Sequence, residues 1–166
     1  MMPTVEIISL VDNNVTVPGL LAEHGLSFLV RAGDQTILFD TGTGAVIIHN
    51  LLEMGINPRD ITAVVLSHGH YDHAGGLKKV CELTGPISVF GHPEFFGAKY
   101  KLEQGKEPRY IGIPWSQKEL ELTGADFHLN RATAELAEGV LLTGEVPRRH
   151  NFENEPNSFY LLNNGE

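Results

Sequence analysis

Three histidines and one aspartate fall within six consecutive residues of the stretch Ser67-His68-Gly69-His70-Tyr71-Asp72-His73-Ala74-Gly75-Gly76. Imidazole nitrogens and carboxylate oxygens suit Zn²⁺, Mn²⁺ or Fe²⁺, and the absence of thiolates beside them points away from a closed structural zinc site. The pattern His-x-His-x-Asp-His is expected by chance about 0.0007 times in a chain of this length and composition, so it reads as a site that carries chemistry. The bland alternative is a solvated turn in which Asp72 caps the helix it opens. Upstream, Asp40 ends the apolar run Leu38-Phe39 and begins the turn Asp40-Thr41-Gly42. Three roles are open to it: orienting a ligand imidazole, binding metal directly, or capping the helix that follows Gly42.

These side chains need particular elements to bring them together. A continuous helix would set His68 and Asp72 nearly opposite His70 and His73. A continuous strand would put His68, His70 and Asp72 on one face and turn His73 away. A strand end that turns into a helix start gathers all four, and the flanking sequence supplies one. Ala63 to Leu66 is a short run too apolar to alternate, as in a strand buried on both faces, and Asp72 to Leu83 carries Leu77, Val80 and Leu83 at helical spacing. Gly69 permits the turn between them.

Before this unit, Thr4 to Val11, Leu26 to Arg31 and Thr36 to Phe39 read as three strands in hairpin order, separated by turn formers such as Gly33-Asp34. Thr43 to Met54 reads as a helix ending at Gly55, and Pro86 to Phe90 as a further strand. The expected order is therefore β, β, β, α, β, α, β. Gly97 to Pro114 reads as a long connection. After it come a helical turn at Gln117 to Leu122 and short strands at Asp126 to Leu129, Val140 to Leu142 and Phe159 to Leu162.

Composition narrows the function classes. At 166 residues, with 42% apolar and 20% charged side chains, the chain has the length of one domain and can bury one core. Twelve Lys and Arg against twenty-one Asp and Glu give a formal charge of −9, which disfavours binding to a nucleic-acid backbone and polybasic membrane attachment. Cys81 is alone, so no intrachain disulfide forms. No run approaches the ~20 apolar residues of a membrane span, and a cytoplasmic location is expected.

At the quoted motif the sequence resembles the metallo-β-lactamase superfamily, whose signature is His-x-His-x-Asp-His after a strand, preceded by an Asp at the end of an earlier strand. Further blocks are similar to the superfamily branch related to the dihydropterin (ribofuranosylaminobenzene 5′-phosphate) synthases of methanopterin biosynthesis. They are Ala22 to Ser27, Ile37 to Gly42, Val65 to Leu77, Gly91-His92-Pro93 and Leu142 to Arg148. The resemblance implies a mixed α/β fold, the αββα sandwich, of which residues 1–166 form a single domain covering the N-terminal two thirds and incomplete at its C-terminus. It implies one or two divalent ions, zinc first with manganese or iron as alternatives. His68 and His70 would hold the first and Asp72 with His73 the second; Asp72 and His73 would be catalytic, with Asp40 behind them or as a ligand.

The later ligands of the family, including a His in a Gly-Cys-x-His-x-Gly block, have no counterpart here. Either the chain carries part of a site or its remaining ligands come from His24, His92, His128, His150 or a neighbouring chain. His24 and His92 lie in family-like loops and, with Arg148, are candidate substrate-binding residues. The expected reaction is hydrolysis of a small phosphorylated or pterin-like compound. The alternatives are condensation of a pterin diphosphate with an aryl amine, or metal binding without turnover. The expected partners are a small-molecule substrate and a second copy of the chain, with no membrane or nucleic acid.

Overall fold

The computed structural model describes residues 4–147, 149–150, 152 and 158–162, the side chains of the last two excepted. Strands β1 (Val5–Val11), β2 (Ser27–Ala32) and β3 (Gln35–Phe39) form the expected antiparallel meander. Helix α1 (Ile47–Glu53) then leads to β4 (Ala63–Val65), which lies parallel to β3. Every residue of β4 is buried, which explains why its sequence does not alternate. Two helices, α2 (Tyr71–Ala74) and α3 (Leu77–Thr84), lead to β5 (Ile87–Gly91), parallel to β4. The single helix expected from Asp72 to Leu83 is thus two, divided at Gly75-Gly76, and it begins one residue earlier.

The expected long connection from Gly97 to Pro114 is also corrected. It contains β6 (Ala98–Lys101) and β7 (Arg109–Tyr110), which pair with each other antiparallel, while β6 also pairs with a strand near residue 160. Local periodicity is weak there because both strands are short. Helix α4 (Gln117–Glu121) opens with a capping box, in which the Ser116 hydroxyl accepts from Glu119 N–H and the Glu119 carboxylate accepts from Ser116 N–H. Then follow β8 (Ala125–Leu129), β9 (Ala134–Ala137), β10 (Val140–Leu142) and β11 (Phe159–Leu162). Strand β9, which pairs with β10, has no counterpart in the sequence expectation.

The main sheet runs β1-β2-β3-β4-β5-β8, with β11-β6-β7 and β10-β9 as separate ribbons. Pairing aligns Ile8, Leu29, Leu38, Val64, Val89 and Phe127 in one row across the six strands. Four of these, Leu29, Leu38, Val64 and Val89, are fully buried and pack with Ile47, Leu51, Leu77, Val80, Cys81 and Leu120 from the helices. Burying each such aliphatic side chain contributes roughly 1.5–3 kcal/mol before conformational entropy is subtracted, so this row secures the frame. The parallel strands β3, β4 and β5 end side by side, and the crevice outside the C-terminal ends of parallel strands is where open α/β sheets place their sites.

Candidate metal centre

The motif occupies the turn between β4 and α2, as its spacing demanded. His70 is the N-cap residue in extended conformation, and its backbone bridges to Gly112. Tyr71 N–H donates to Ile111 O (3.0 Å), and Ile111 N–H to Lys99 O (2.8 Å), so the β6–β7 ribbon holds the turn from outside. Gly69 is required by proximity, since a Cβ there would stand 2.0 Å from Phe95 O. Beneath it, Lys99 Nζ donates to the carbonyls of Glu94 (3.0 Å), Phe95 (2.8 Å) and Gly97 (3.0 Å). Burial pushes the Lys99 ammonium below its ordinary value.

Asp40 is fully buried at the end of β3 with φ +57°, a left-handed conformation that Asp tolerates better than most residues. The surrounding backbone dictates this twist. Asp40 N–H donates to Val65 O (2.9 Å), and its carbonyl accepts from Ser27 Oγ (2.8 Å). The carboxylate accepts from Ser67 N–H (2.8 Å), Ser67 Oγ (2.7 Å) and His73 Nδ1 (2.8 Å). It does not cap α1, whose N-cap residue Val46 makes no side-chain cap hydrogen bond; in the turn before the helix, the N–H groups of Thr43, Gly44 and Ala45 are taken by the Glu23 carboxylate. In His73, Nδ1 is committed to Asp40, and Nε2 faces Asp72 Oδ2 at 3.7 Å.

Ser67 extends the network. Its one hydroxyl proton goes to Asp40, so Oγ accepts from His68 Nδ1 (2.9 Å), and His68 Nε2 in turn accepts from His70 Nδ1 (2.9 Å). The His68 ring centroid lies 4.4 Å from that of His70 and 4.2 Å from that of His73. Burial lowers the His68 imidazole to about 4, helped by repulsion from His73 and His70. Burial likewise lowers His70, outweighing attraction to Asp72. For His73, burial works downward but the hydrogen bond and charge of Asp40 prevail, and its value rises. His68 and His70 are therefore neutral at pH 7, the state in which an imidazole nitrogen can ligate.

The donor set fits a divalent ion: three imidazoles and a carboxylate gathered on one turn, with His73 oriented by a buried carboxylate in the manner of metal-ligating histidines. Among the described residues, no three His, Cys, Asp or Glu side chains are already drawn round a single ion position. Their nitrogens are engaged with one another instead, as the His68–His70 hydrogen bond shows.

The remaining candidates separate. His24 reaches the site, its Nε2 lying 3.4 Å from Asp72 Oδ2. His92 is committed elsewhere: Nε2 contacts Glu145 Oε1 (2.8 Å) and Nδ1 accepts from Glu94 N–H (3.1 Å). It still lines, with Ser67, Phe39 and Phe90, a cavity of about 430 Å³ under the β9–β10 hairpin. His128 contacts Asp126 on β8, and His150 stacks on Phe152. Arg148 lies outside the described residues, as does the expected terminal turn at 163–166. Ser67, Glu23 and the Lys99–Gly112 ribbon were not singled out in the sequence. Only the position of Ser67 beside His68 hinted at its part.

The model of the metallo-β-lactamase superfamily matches residues 21–147. The chain is similar to a 7,8-dihydropterin-6-methyl-4-(β-D-ribofuranosyl)-aminobenzene-5′-phosphate synthase of Methanocaldococcus jannaschii, at 34% identity over 87% of this chain and 52% of that protein. It is also similar to a hydroxyacylglutathione hydrolase of Tolumonas auensis, at 27% identity over 65% of this chain and 40% of the other. A crystal structure of a metal-dependent hydrolase of the β-lactamase superfamily superposes with TM-score 0.76 and 30% identity, over 98% of this chain and 56% of that one. The chain spans about half the length of the synthase.

Proposed function

The chain belongs to the metallo-β-lactamase superfamily, and from that premise we propose that it carries the metal-binding half of a hydrolase acting on a small phosphorylated or pterin-like compound. The observation that carries this reading is the His68-His70-Asp72-His73 turn anchored to buried Asp40 through Ser67 and His73. His68 and His70 would hold one divalent ion, and Asp72 and His73 would hold a second. Zinc fits this nitrogen-and-oxygen set first, with manganese or iron as alternatives. A bound ion supplies Lewis acidity, lowering the pKa of water and stabilising charge that develops on oxygen.

The protein's share is placement and proton handling. Asp40 fixes the His73 ring through Nδ1, and the β6–β7 ribbon fixes His70. Asp72, partly buried with 17% of its side chain exposed, would accept the proton of the attacking water. The water oxygen bonds to phosphorus or to a carbonyl carbon, and the bond to the leaving oxygen or sulfur breaks. That atom leaves carrying the proton that Asp72 took from the water, which returns the carboxylate to its starting state.

A second reading is favoured by the 34% identity to the synthase: condensation of a pterin diphosphate with an aryl amine, with diphosphate as leaving group. Substrate pairing separates the two, since hydrolysis takes one organic substrate and condensation takes two. Plasma mass spectrometry on the purified chain beside His70→Ala tests the shared premise. Metal near stoichiometric amounts in the parent and lost in the variant is the expected result. Phosphoester, lactone and thioester substrates then test hydrolysis, and turnover unchanged in Asp72→Asn sinks the mechanism.

A further inference from the structure

The ribbon β11-β6-β7 carries a row of side chains that has no part in the histidine cluster. Phe159 pairs with Lys101, and Lys101 with Arg109. Directly opposed residues of antiparallel strands stand on one face of a sheet, so the three form a row, and Lys99, two residues before Lys101, shares its face. Two members of this face touch the motif turn. The Phe159 ring centroid lies 5.7 Å from that of His70, with the planes tilted by 40°, inside the ~4.5–7 Å of aromatic pairs. Lys99 Nζ lies against Gly69, 3.0 Å from where a Cβ would stand. Lys101 and Arg109 follow on the same face, one and two strand spacings of ~4.8 Å from Phe159.

The row joins an open ring to unbalanced positive charge. Phe159 is 47% exposed, so part of its ring meets His70 and the rest is free to meet a ligand. Arg109 is exposed and, among the described residues, has no carboxylate partner. Lys101 Nζ pairs with Glu103 Oε1 (3.0 Å), a carboxylate that Lys106 shares. From 101 to 109 the chain holds three cations, Lys101, Lys106 and Arg109, against Glu103 and Glu107, although its overall formal charge is −9. An incoming anion meets a local surplus of positive charge. The opposite face keeps the ribbon rigid: Tyr100 and Tyr110 meet edge to face at 5.4 Å, and Tyr110 Oη donates to Ile113 O (2.8 Å). Leu102 N–H donates to Ser158 O (2.7 Å) beside them. The row is therefore set before a ligand arrives.

We propose that the Phe159–Lys101–Arg109 row is a substrate subsite for an aromatic ring that bears a phosphate. The ring lies against Phe159, in an offset or edge-to-face contact that a saturated ring cannot make. The Arg109 fork holds two phosphate oxygens at once, and Lys101 supplies a second positive charge for the dianion. This rests on the reading of the motif turn as the reacting centre, and it adds which part of the substrate is held away from the bond that breaks.

Equilibrium dialysis of 1-naphthyl phosphate against the 166-residue chain tests it, with metal stripped so that no ion holds the phosphate. Cyclohexyl phosphate, which lacks the aromatic ring, and 1-naphthol, which lacks the phosphate, are the comparators. The parent is expected to bind 1-naphthyl phosphate at least ~10-fold more tightly than either. Arg109→Gln is expected to weaken it about tenfold, and Arg109→Lys, which keeps the charge but not the fork, to recover part of the loss. Lys118→Gln, on α4, matches the parent. Phe159→Leu brings the two phosphates within about threefold of each other. Equal affinity of the parent for the two phosphates, Arg109→Gln within about twofold of the parent, or no binding at millimolar ligand overturns the proposal. Metal content is read separately. A chain that takes up metal but fails the dialysis test loses this subsite and keeps its reacting centre; one that passes without taking up metal keeps the ring-and-phosphate site, and the reading of the reacting centre falls.

Discussion

At the residue scale, Asp40 decides how His73 is presented. Its carboxylate accepts from Ser67 twice and from His73 Nδ1, all without exposure to water. Asp40→Asn keeps the size and tolerates φ +57°, but it replaces one acceptor oxygen by a donor. Zinc affinity is expected to fall about 10- to 100-fold with the fold retained, as read by chelator competition and circular dichroism. Unchanged affinity would remove Asp40 from the site.

Protonation acts on the same residues. The His68 imidazole falls to about 4 from an ordinary 6.5, so below the ordinary value the unfolded chain takes up a proton that the folded chain refuses. In metal-stripped protein, this contribution to stability is therefore full above about 6.5 and is lost as pH drops toward 4. His73, raised by Asp40, acts in the opposite sense: its contribution is full below 6.5 and fades as pH rises through its folded value. Thermal midpoints measured between pH 7 and 4 are expected to decline less steeply in His68→Gln than in the parent.

At the element scale, the loop between β1 and β2 depends on α1. Asn50 satisfies both backbone groups of Leu21 and the carbonyl of Leu10. Asn50→Ala leaves these groups without partners where water has little access, and is expected to cost about 1–3 kcal/mol in urea unfolding. A loss below 0.5 kcal/mol would mean that the loop is held by Glu23 alone. The strand-to-helix turn of the motif was legible in the sequence because its determinants are local: an apolar run of four residues that holds the strand, a glycine and a helical pattern in close succession. The β6–β7 ribbon was not, because what holds it in place lies elsewhere in the chain: the motif turn at His70 and Tyr71, and the distant β11. Nothing within Gly97 to Pro114 announces them.

At the scale of the whole molecule, the two faces of the main sheet differ. One is sealed by the helices over Leu29, Leu38, Val64 and Val89. Leu38→Ala in that row is expected to cost about 2–5 kcal/mol while unfolding stays a single transition, since it opens a cavity in a packed core. The other face carries the β9–β10 hairpin above the cavity and leaves Val5 55% and Ile7 66% exposed on the edge strand β1. Apolar side chains on an open sheet edge favour pairing with another copy. Light scattering is expected to report a mass that rises with concentration and falls back in Ile7→Lys. A monomer mass at every concentration refutes this. Among the described residues, no helix is long and apolar enough to cross a membrane.

The sequence by itself determined the candidate donor set, its strand–turn–helix setting, the three-strand meander before it and the family, because each is written in residues close along the chain. Tertiary structure decided what those donors meet. Asp40 could have capped a helix, but burial against Ser67 and His73 made it the anchor of the site. Glu23 instead binds the N–H groups of the turn before α1, next to His24, whose Nε2 lies 3.4 Å from Asp72 Oδ2. Such contacts join residues tens of positions apart, and folding selects them through the summed packing of the core, which no local pattern records.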